Sequence, residues 1–196
     1  MFEFEKKVLL SVEEYLALVR ISGKGIPTVV QTNYYYDSDN FEMNAKGITC
    51  RVREKNGKYT ATIKSRISNT TECSIETSQE ILNMRENNLF GDMDIKLQGS
   101  LTTVRTIIYS DKYVEAVMDK NTYLGYTDYE LEIEYLSGNE QQSEKLLNDL
   151  ARALHSYDGK IDIVDFCNRR KTFKTKSERF FERKKSLKLQ KESYNQ

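Results

Sequence analysis

Near the start of the chain three charged residues sit two positions apart, Glu3, Glu5 and Lys7 in "FEFEKKV", with Phe2, Phe4 and Val8 on or beside the alternate positions. The spacing recurs. Arg51 and Arg53 in "TCRVRE" alternate with Cys50 and Val52, Lys64 in "YTATIK" lies opposite Tyr59, Ala61 and Ile63, and Glu130, Glu132 and Glu134 in "DYELEIEYL" lie opposite Tyr129, Leu131, Ile133 and Tyr135. A period of two puts each charged set on one face of a strand. A solvated strand face ordinarily mixes Thr, Ser, Gln and Lys, whereas these faces are purely acidic or purely basic, and like charges so close repel unless opposite charge lies between them. Glutamates at alternate positions offer the hard oxygen ligands that Mg²⁺ or Mn²⁺ prefers, and Arg and Lys offer forked and point-charge contacts to phosphate. Carboxylates, a divalent ion and a basic ring describe a polyphosphate site.

The elements that must position these residues follow from local patterns. Residues 2 to 9 read as a strand, and Ser11 with Glu14 three residues on predicts a capping box that starts a helix ending near "SGKG". "VVQTNYYYD" is β-rich and closes in a polar loop, "SDNFEMNAKG"; "ITCRVREKNGKYTATIKSR" reads as a hairpin turned at Asn56-Gly57. "ECSIET" predicts a further strand and "SQEILNMRENN" a short helix capped by Ser78. Three strand-like runs follow, "LTTVRTIIYS", "YVEAVMDKNTYLG" and "YELEIEYL". The period then changes: "NEQQSEKLLNDLARALHSY" places Leu146, Leu147, Leu150, Ala151 and Leu154 on one helical stripe, an amphipathic helix for the outside of a sheet. A basic tail from about residue 172 carries another helix around "SERFFERKKSLKL". The economical arrangement is a closed antiparallel barrel of α+β class, with charged residues lining a wet interior and apolar ones facing out under the helices, Phe2 and Phe4 among them. A chain of 196 residues with no repeat and one proline, Pro27, reads as one domain, 1–196.

Composition removes several classes of function. Lys+Arg and Asp+Glu balance at 30 each, so no net field draws the protein to nucleic acid or a membrane. Cys50, Cys73 and Cys167 form no CxxC pair and read as reduced thiols of a cytoplasmic protein. No apolar run is long enough to span a bilayer, and the first residues lack the pattern of a signal peptide. Phosphate-cradling GxxxxGK[ST] loops, HExxH and Gly-x-Ser-x-Gly are absent. His155, the single histidine, falls late in the amphipathic helix, where a helix-end role is expected; the Asn69 sequon reads as a loop, "NYYYD" as a strand with mixed faces, and "RKKSLKLQKE" as a solvated helix face.

"EFEKK", as Glu3-x-Glu5-x-Lys7, resembles the ExExK signature of the CYTH domain, or triphosphate tunnel metalloenzyme, superfamily. "QTNYYYDSDNFEMNAKGITCRVREKNGKYTATIKSR" is similar to that family's tyrosine-rich strand, Asp-turn, Arg-x-Arg strand and lysine-ending strand; "DKNTYLGYTDYELEIE" resembles its later acidic strand pair, and "TKSERFF" the tail that returns a lysine to the tunnel. The nearest flavour is that of the small stand-alone CYTH proteins of Gram-positive bacteria. The resemblance implies an eight-stranded tunnel in which a triphosphate is hydrolysed by metal-activated water. It implies Glu3, Glu5, Glu130 and Glu132 as metal ligands for Mg²⁺ or Mn²⁺, and Lys7, Arg51, Arg53, Lys64, Arg105 and Lys176 as phosphate ligands. Glu3, Glu5, Lys7, Glu130 and Glu132 would together carry catalysis. Supporting roles fall to Glu76, beside the arginines, to Asp119, orienting a ligand or water, and to Lys174, which competes with Lys176; Glu134 is expected at a tunnel mouth, outside the ligand shell. The expected partner is a small triphosphate, inorganic triphosphate first and thiamine or nucleoside triphosphate next, with neither nucleic acid nor membrane. Alternatives are an adenylyl cyclase making cyclic AMP from ATP and a non-catalytic triphosphate- or polyphosphate-binding module. Oligomeric state is left open, a homodimer included.

Overall fold

Strands with one charged and one apolar face can hide both only by curling round the charges and covering the outside. The computed structural model does this; it describes every residue except 1, 24, 68–72, 85, 87, 88, 195 and 196, and the side chains of all the rest except 172, 191, 192 and 194. The strands β1 (Phe2–Leu10), β2 (Thr28–Asp37), β3 (Ile48–Lys55), β4 (Lys58–Arg66), β5 (Cys73–Ile81), β6 (Lys96–Ser110), β7 (Val114–Tyr123) and β8 (Tyr126–Tyr135) close in the order β1-β5-β4-β3-β2-β6-β7-β8. Every neighbouring pair is antiparallel. Helices α1 (Val12–Ser22), α2 (Glu42–Ala45), α3 (Glu140–Asp158), α4 (Ile163–Asn168) and α5 (Lys176–Tyr194) surround this eight-stranded barrel. Closure removes both sheet edges and leaves an interior of the size that holds one small ligand.

Local chemistry sets the joints. Ser11 accepts from the backbone N–H of Glu14 at 3.1 Å while the Glu14 carboxylate accepts from Ser11 N–H at 2.8 Å, the expected capping box. Asn56 and Gly57 both take positive φ, 53° and 73°, which the tight turn between β3 and β4 demands. Within "SDNFEMNAKG", expected as loop, the buried Asp37 accepts from the backbone N–H groups of Ser38, Met43 and Asn44 and holds the single turn α2 in place.

Two apolar layers lie outside the barrel. Val8 and Leu10 of β1, Ala116 and Met118 of β7, and Leu131 and Ile133 of β8 pack beneath Leu18 of α1, Leu147, Ala151 and Leu154 of α3, and Phe166 of α4. On the opposite side Cys50, Val52 and Ala61 are covered by Phe90, with Met84, Leu89, Met93 and Ile95 half-buried around it. This second cover corrects the expectation of a helix capped by Ser78. Residues 78–81 continue β5, pairing Ser78 with Thr62 and Ile81 with Tyr59, because an unpaired edge of β4 would leave buried backbone groups unsatisfied. The Asn69 sequon lies outside the described residues. Phe4 stacks on Tyr135 with ring centroids 5.8 Å apart, whereas Phe2, expected under apolar cover, is 63% exposed.

The third apolar cluster departs from the expectation of a wet lumen. Tyr35, Leu101 and Tyr123 share the inward faces of β2, β6 and β7 and are buried against Phe180 and Phe181 of α5 and Phe41. Gly99 sits where α5 approaches most closely: a Cβ there would lie 2.9 Å from the Phe180 ring. One end of the barrel is therefore packed and aromatic, and the charged part is a chamber closed at that end.

Leu147→Ala should lower stability by about 2–5 kcal/mol, the cost of a cavity under α3. Ser11→Ala should cost about 1 kcal/mol through the lost cap, both read from urea unfolding.

Candidate functional site

The chamber has a volume of about 170 Å³ and is walled by Glu3, Glu5 and Lys7 of β1, Arg51 and Arg53 of β3, Lys64 and Arg66 of β4, Arg105 of β6, Glu132 and Glu134 of β8, and the first turn of α5. Period-two alternation places each of these side chains inside and the neighbouring Val8, Val52, Ala61 and Ile133 outside. Register supplies part of the opposite charge: Lys7 lies across from Glu132, Lys64 from Glu76, and Arg105 from Asp119, while Glu5 faces Glu134.

Glu132 is the pivot, 2% exposed and reached by three cations. Lys7 Nζ and Lys176 Nζ stand 3.0 and 2.8 Å from Oε1, and Arg105 donates to Oε2. Burial alone would push its carboxyl up; Lys176, Lys7 and Arg105 outweigh this and hold it well below the usual carboxylate range. Glu5 is similar: burial is opposed by Lys7 at 2.7 Å and Lys64 at 3.0 Å, which bring it down to about 2. Both are anions at any pH the protein meets. Glu134, only partly covered at the chamber wall, goes the other way, raised by partial desolvation and by the Glu132 charge even though Arg105 donates to it at 3.0 Å.

Two carboxylate groups could hold a cation. Oxygens of Glu5, Glu132 and Glu134 lie within 4.8 Å of one another, as do those of Asp119, Glu130 and Glu132. Their surroundings differ. The second group is fully buried and already holds the Lys176 ammonium, paired with all three carboxylates, while Arg179 donates to Glu130 at 2.7 Å and Arg105 to Asp119 at 2.9 and 2.7 Å. The first group faces the chamber, and the Glu134 side chain is 44% exposed. An all-carboxylate donor set open on one side fits a hard divalent ion.

The basic wall is less evenly compensated. Arg51 pairs with Glu76 at 3.2 Å, and Lys64 spans Glu3 at 2.5 Å and Glu5. Arg53 has no carboxylate partner among the described residues; its Nε donates to Asn33 Oδ1 at 3.1 Å. The neighbouring Arg51 charge, then burial, lowers its pKa to about 10, so an anion placed here is attracted by a cation whose charge is otherwise opposed.

The structure thus brings Glu3, Glu5, Lys7, Arg51, Arg53, Lys64, Arg105, Glu132 and Lys176 to one chamber wall, with Glu76 beside Arg51 and the buried Asp119 and Glu130 behind Lys176. Lys174 is not among them: it is exposed and pairs with Glu182 at 2.6 Å on the outside of α5. Glu134, expected outside the ligand shell, lies beside Glu5 and Glu132. Sequence reading passed over Arg66, two positions beyond Lys64 on the same face, and Arg179, which donates to Asp128 at 2.8 Å. The i, i+3 spacing of Lys176 and Arg179 on one helix face could have revealed the latter.

A model of the CYTH domain matches residues 1–162. The chain belongs to the CYTH domain family. Among its relatives, the Bacillus subtilis protein named "Putative triphosphatase YjbK" is 30% identical over 170 residues, 76% of this chain and 86% of that one. Two solved structures share the fold. A Bacillus halodurans protein described as "a putative adenylate cyclase" superposes with a TM-score of 0.64 at 23% identity, covering 78% of this chain and 89% of that chain. HpAC1 from Hippeastrum, described as having a dominant triphosphatase activity, superposes with a TM-score of 0.61 at 20% identity over 89% and 98%. The family match ends at residue 162, so α4 and α5 lie outside it.

Arg105→Met should cost about 3–5 kcal/mol in urea unfolding, because it leaves Asp119 and Glu132 buried with too few cations. Lys174→Ala should leave the unfolding midpoint unchanged.

Proposed function

We propose that this CYTH protein hydrolyses a triphosphate, inorganic triphosphate before nucleoside or thiamine triphosphate, to diphosphate and phosphate with Mg²⁺ or Mn²⁺. The observation that carries this reading is the open Glu5–Glu132–Glu134 group and the uncompensated Arg53 sharing one chamber. The YjbK name supports it. The choice of inorganic triphosphate rests on the wall: among the described residues Tyr35 is its one aromatic, and that ring is already packed on Phe180 and Phe181.

A divalent ion held by Glu5, Glu132 and Glu134 would supply Lewis-acid polarisation of phosphoryl oxygens and a water of lowered pKa. The chain's own residues do the rest. Phosphoryl transfer passes through a loose transition state that needs positioning and charge compensation more than covalent help. Arg51, Arg53, Lys64 and Lys7 bind the non-bridging oxygens from one side of the chamber. Lys7 and Lys176 keep Glu132 ionised and fixed in position. Arg105 holds Asp119, Glu132 and Glu134 together, so that a ligand meets a carboxylate array already in place.

Phosphate release from inorganic triphosphate, ATP and thiamine triphosphate with Mg²⁺, Mn²⁺ or EDTA tests the reading, with the ATP reaction also examined for cyclic AMP. Metal-dependent phosphate release from inorganic triphosphate is expected, with kcat/KM falling by about 10²-fold or more in Glu5→Gln and Arg53→Ala. Cyclic AMP as the main product, or full activity in both variants, would overturn the reading. Metal-dependent binding without turnover would make the protein a sensor instead.

A further inference from the structure

Among the described residues, the cations that line the chamber are matched to carboxylates with one exception. Lys7, Arg51, Lys64, Arg66, Arg105 and Lys176 each pair with at least one acid. Arg53 pairs with none, and both of its register neighbours are neutral, Thr60 on β4 and Asn33 on β2. Asn33 is fully buried, and its Oδ1 accepts from Arg53 Nε at 3.1 Å. The next inward residues of β2, Gln31 and Tyr35, are buried and uncharged as well, so no acid approaches Arg53 from that strand. Glu76, the acid whose charge reaches Arg53 from β5, is already bound to Arg51 and Ser78.

Stability does not account for an amide at position 33. Its Nδ2 group is buried with no hydrogen-bond partner among the described residues, a loss that native interiors ordinarily avoid. On the side away from Arg53 its register neighbour is Leu101, buried in the aromatic cluster. An aspartate has nearly the same shape; it would remove the idle donor and give Arg53 a charged acceptor. The barrel supports such a pair elsewhere, where the fully buried Asp119 accepts from Arg105 at 2.9 and 2.7 Å. What an aspartate would take away is field. A guanidinium paired with a carboxylate offers little net charge to a third group, whereas one held by an amide keeps its whole charge. The contact at Nε also holds the planar fork in one orientation and leaves the two terminal nitrogens for the chamber, so the cation is both fixed and unspent.

We infer that Asn33 is a positioning residue that sets how strongly the chamber attracts an anion: it anchors the Arg53 guanidinium through an uncharged acceptor, leaving that charge for a phosphoryl group of the triphosphate. This rests on reading the chamber as a triphosphate site, and it places the control of affinity on a buried β2 amide that lies behind the chamber wall.

The test is calorimetric titration of inorganic triphosphate in EDTA into wild type, Asn33→Asp, Asn33→Ala, Arg53→Ala and the double variant Asn33→Ala/Arg53→Ala, with thermal unfolding of each and steady-state kinetics in Mg²⁺. Asn33→Asp should bind about tenfold more weakly, the worth of one hydrogen bond to a charged group, with the kinetic loss falling on KM. Its Tm should stay level or rise, because Arg53 gains a carboxylate. Asn33→Ala should also weaken binding, yet cost nothing further in the Arg53→Ala background, since its effect runs through the guanidinium. Wild-type affinity in Asn33→Asp, or a fall in its Tm, would overturn the inference while leaving the hydrolase reading intact. Losses that multiply in the double variant would assign Asn33 to structure instead. A wild type that neither binds nor turns over triphosphate would remove both readings.

Discussion

The barrel depends on a single electrostatic constraint: carboxylates can be buried only if cations are buried with them. Desolvation acts against every charge in the interior, and Glu132 stays ionised because Lys7, Arg105 and Lys176 reach it from β1, β6 and α5. Removing any one partner leaves charge without compensation in a medium that screens it poorly. Strand order matters because it sets which charges meet, opposite ones at Lys7 and Glu132 and at Arg105 and Asp119, and like ones at Glu5 and Glu134. Triphosphate chemistry asks for the same arrangement, acids on one side for a divalent ion and bases on the other for phosphate oxygens. Stability and ligand binding consequently draw on one set of side chains.

Compensation is uneven, and the unevenness separates structure from site. Asp119, Glu130 and Glu132 enclose the Lys176 ammonium and are further held by Arg105 and Arg179, so this group behaves as a finished salt bridge. Glu5, Glu132 and Glu134 open onto the chamber, and Arg53 faces them with an amide partner in place of a carboxylate. Lys7, Lys64 and Arg105 pair with carboxylates of this group too, and what sets it apart is that it opens onto the chamber.

Much of this was legible in the residue pattern. Charges two apart gave strand faces, Asn56-Gly57 gave the hairpin, and the Leu147–Leu154 stripe gave the outer helix, because in each case a short-range rule and tertiary packing agree. The helix expected at Ser78 failed because β4 needed a hydrogen-bonding neighbour out to Tyr59, a demand that local propensity does not contain. The aromatic packing at one barrel end escaped notice for a related reason: Tyr35 sits among tyrosines that alternate faces, and its partners Phe180 and Phe181 lie far along the chain.

The first strand closes the barrel. β1 pairs with β8 along Phe4–Leu10 and with β5 at Phe2–Phe4, so the ring is incomplete until residues near both ends of the barrel sequence have met. Lys7 of β1 finds Glu132 only when β8 is in place, a contact of high sequence separation and correspondingly slow formation. A chain folded only as far as β5 could already pair Arg51 with Glu76 and Lys64 with Glu3 and Glu5, whereas Lys7 would lack Glu132 and Arg66 would lack Glu178. Barrel closure therefore completes the chamber, because Glu132 and Glu134 reach Lys7 and Glu5 only once β8 has paired with β1.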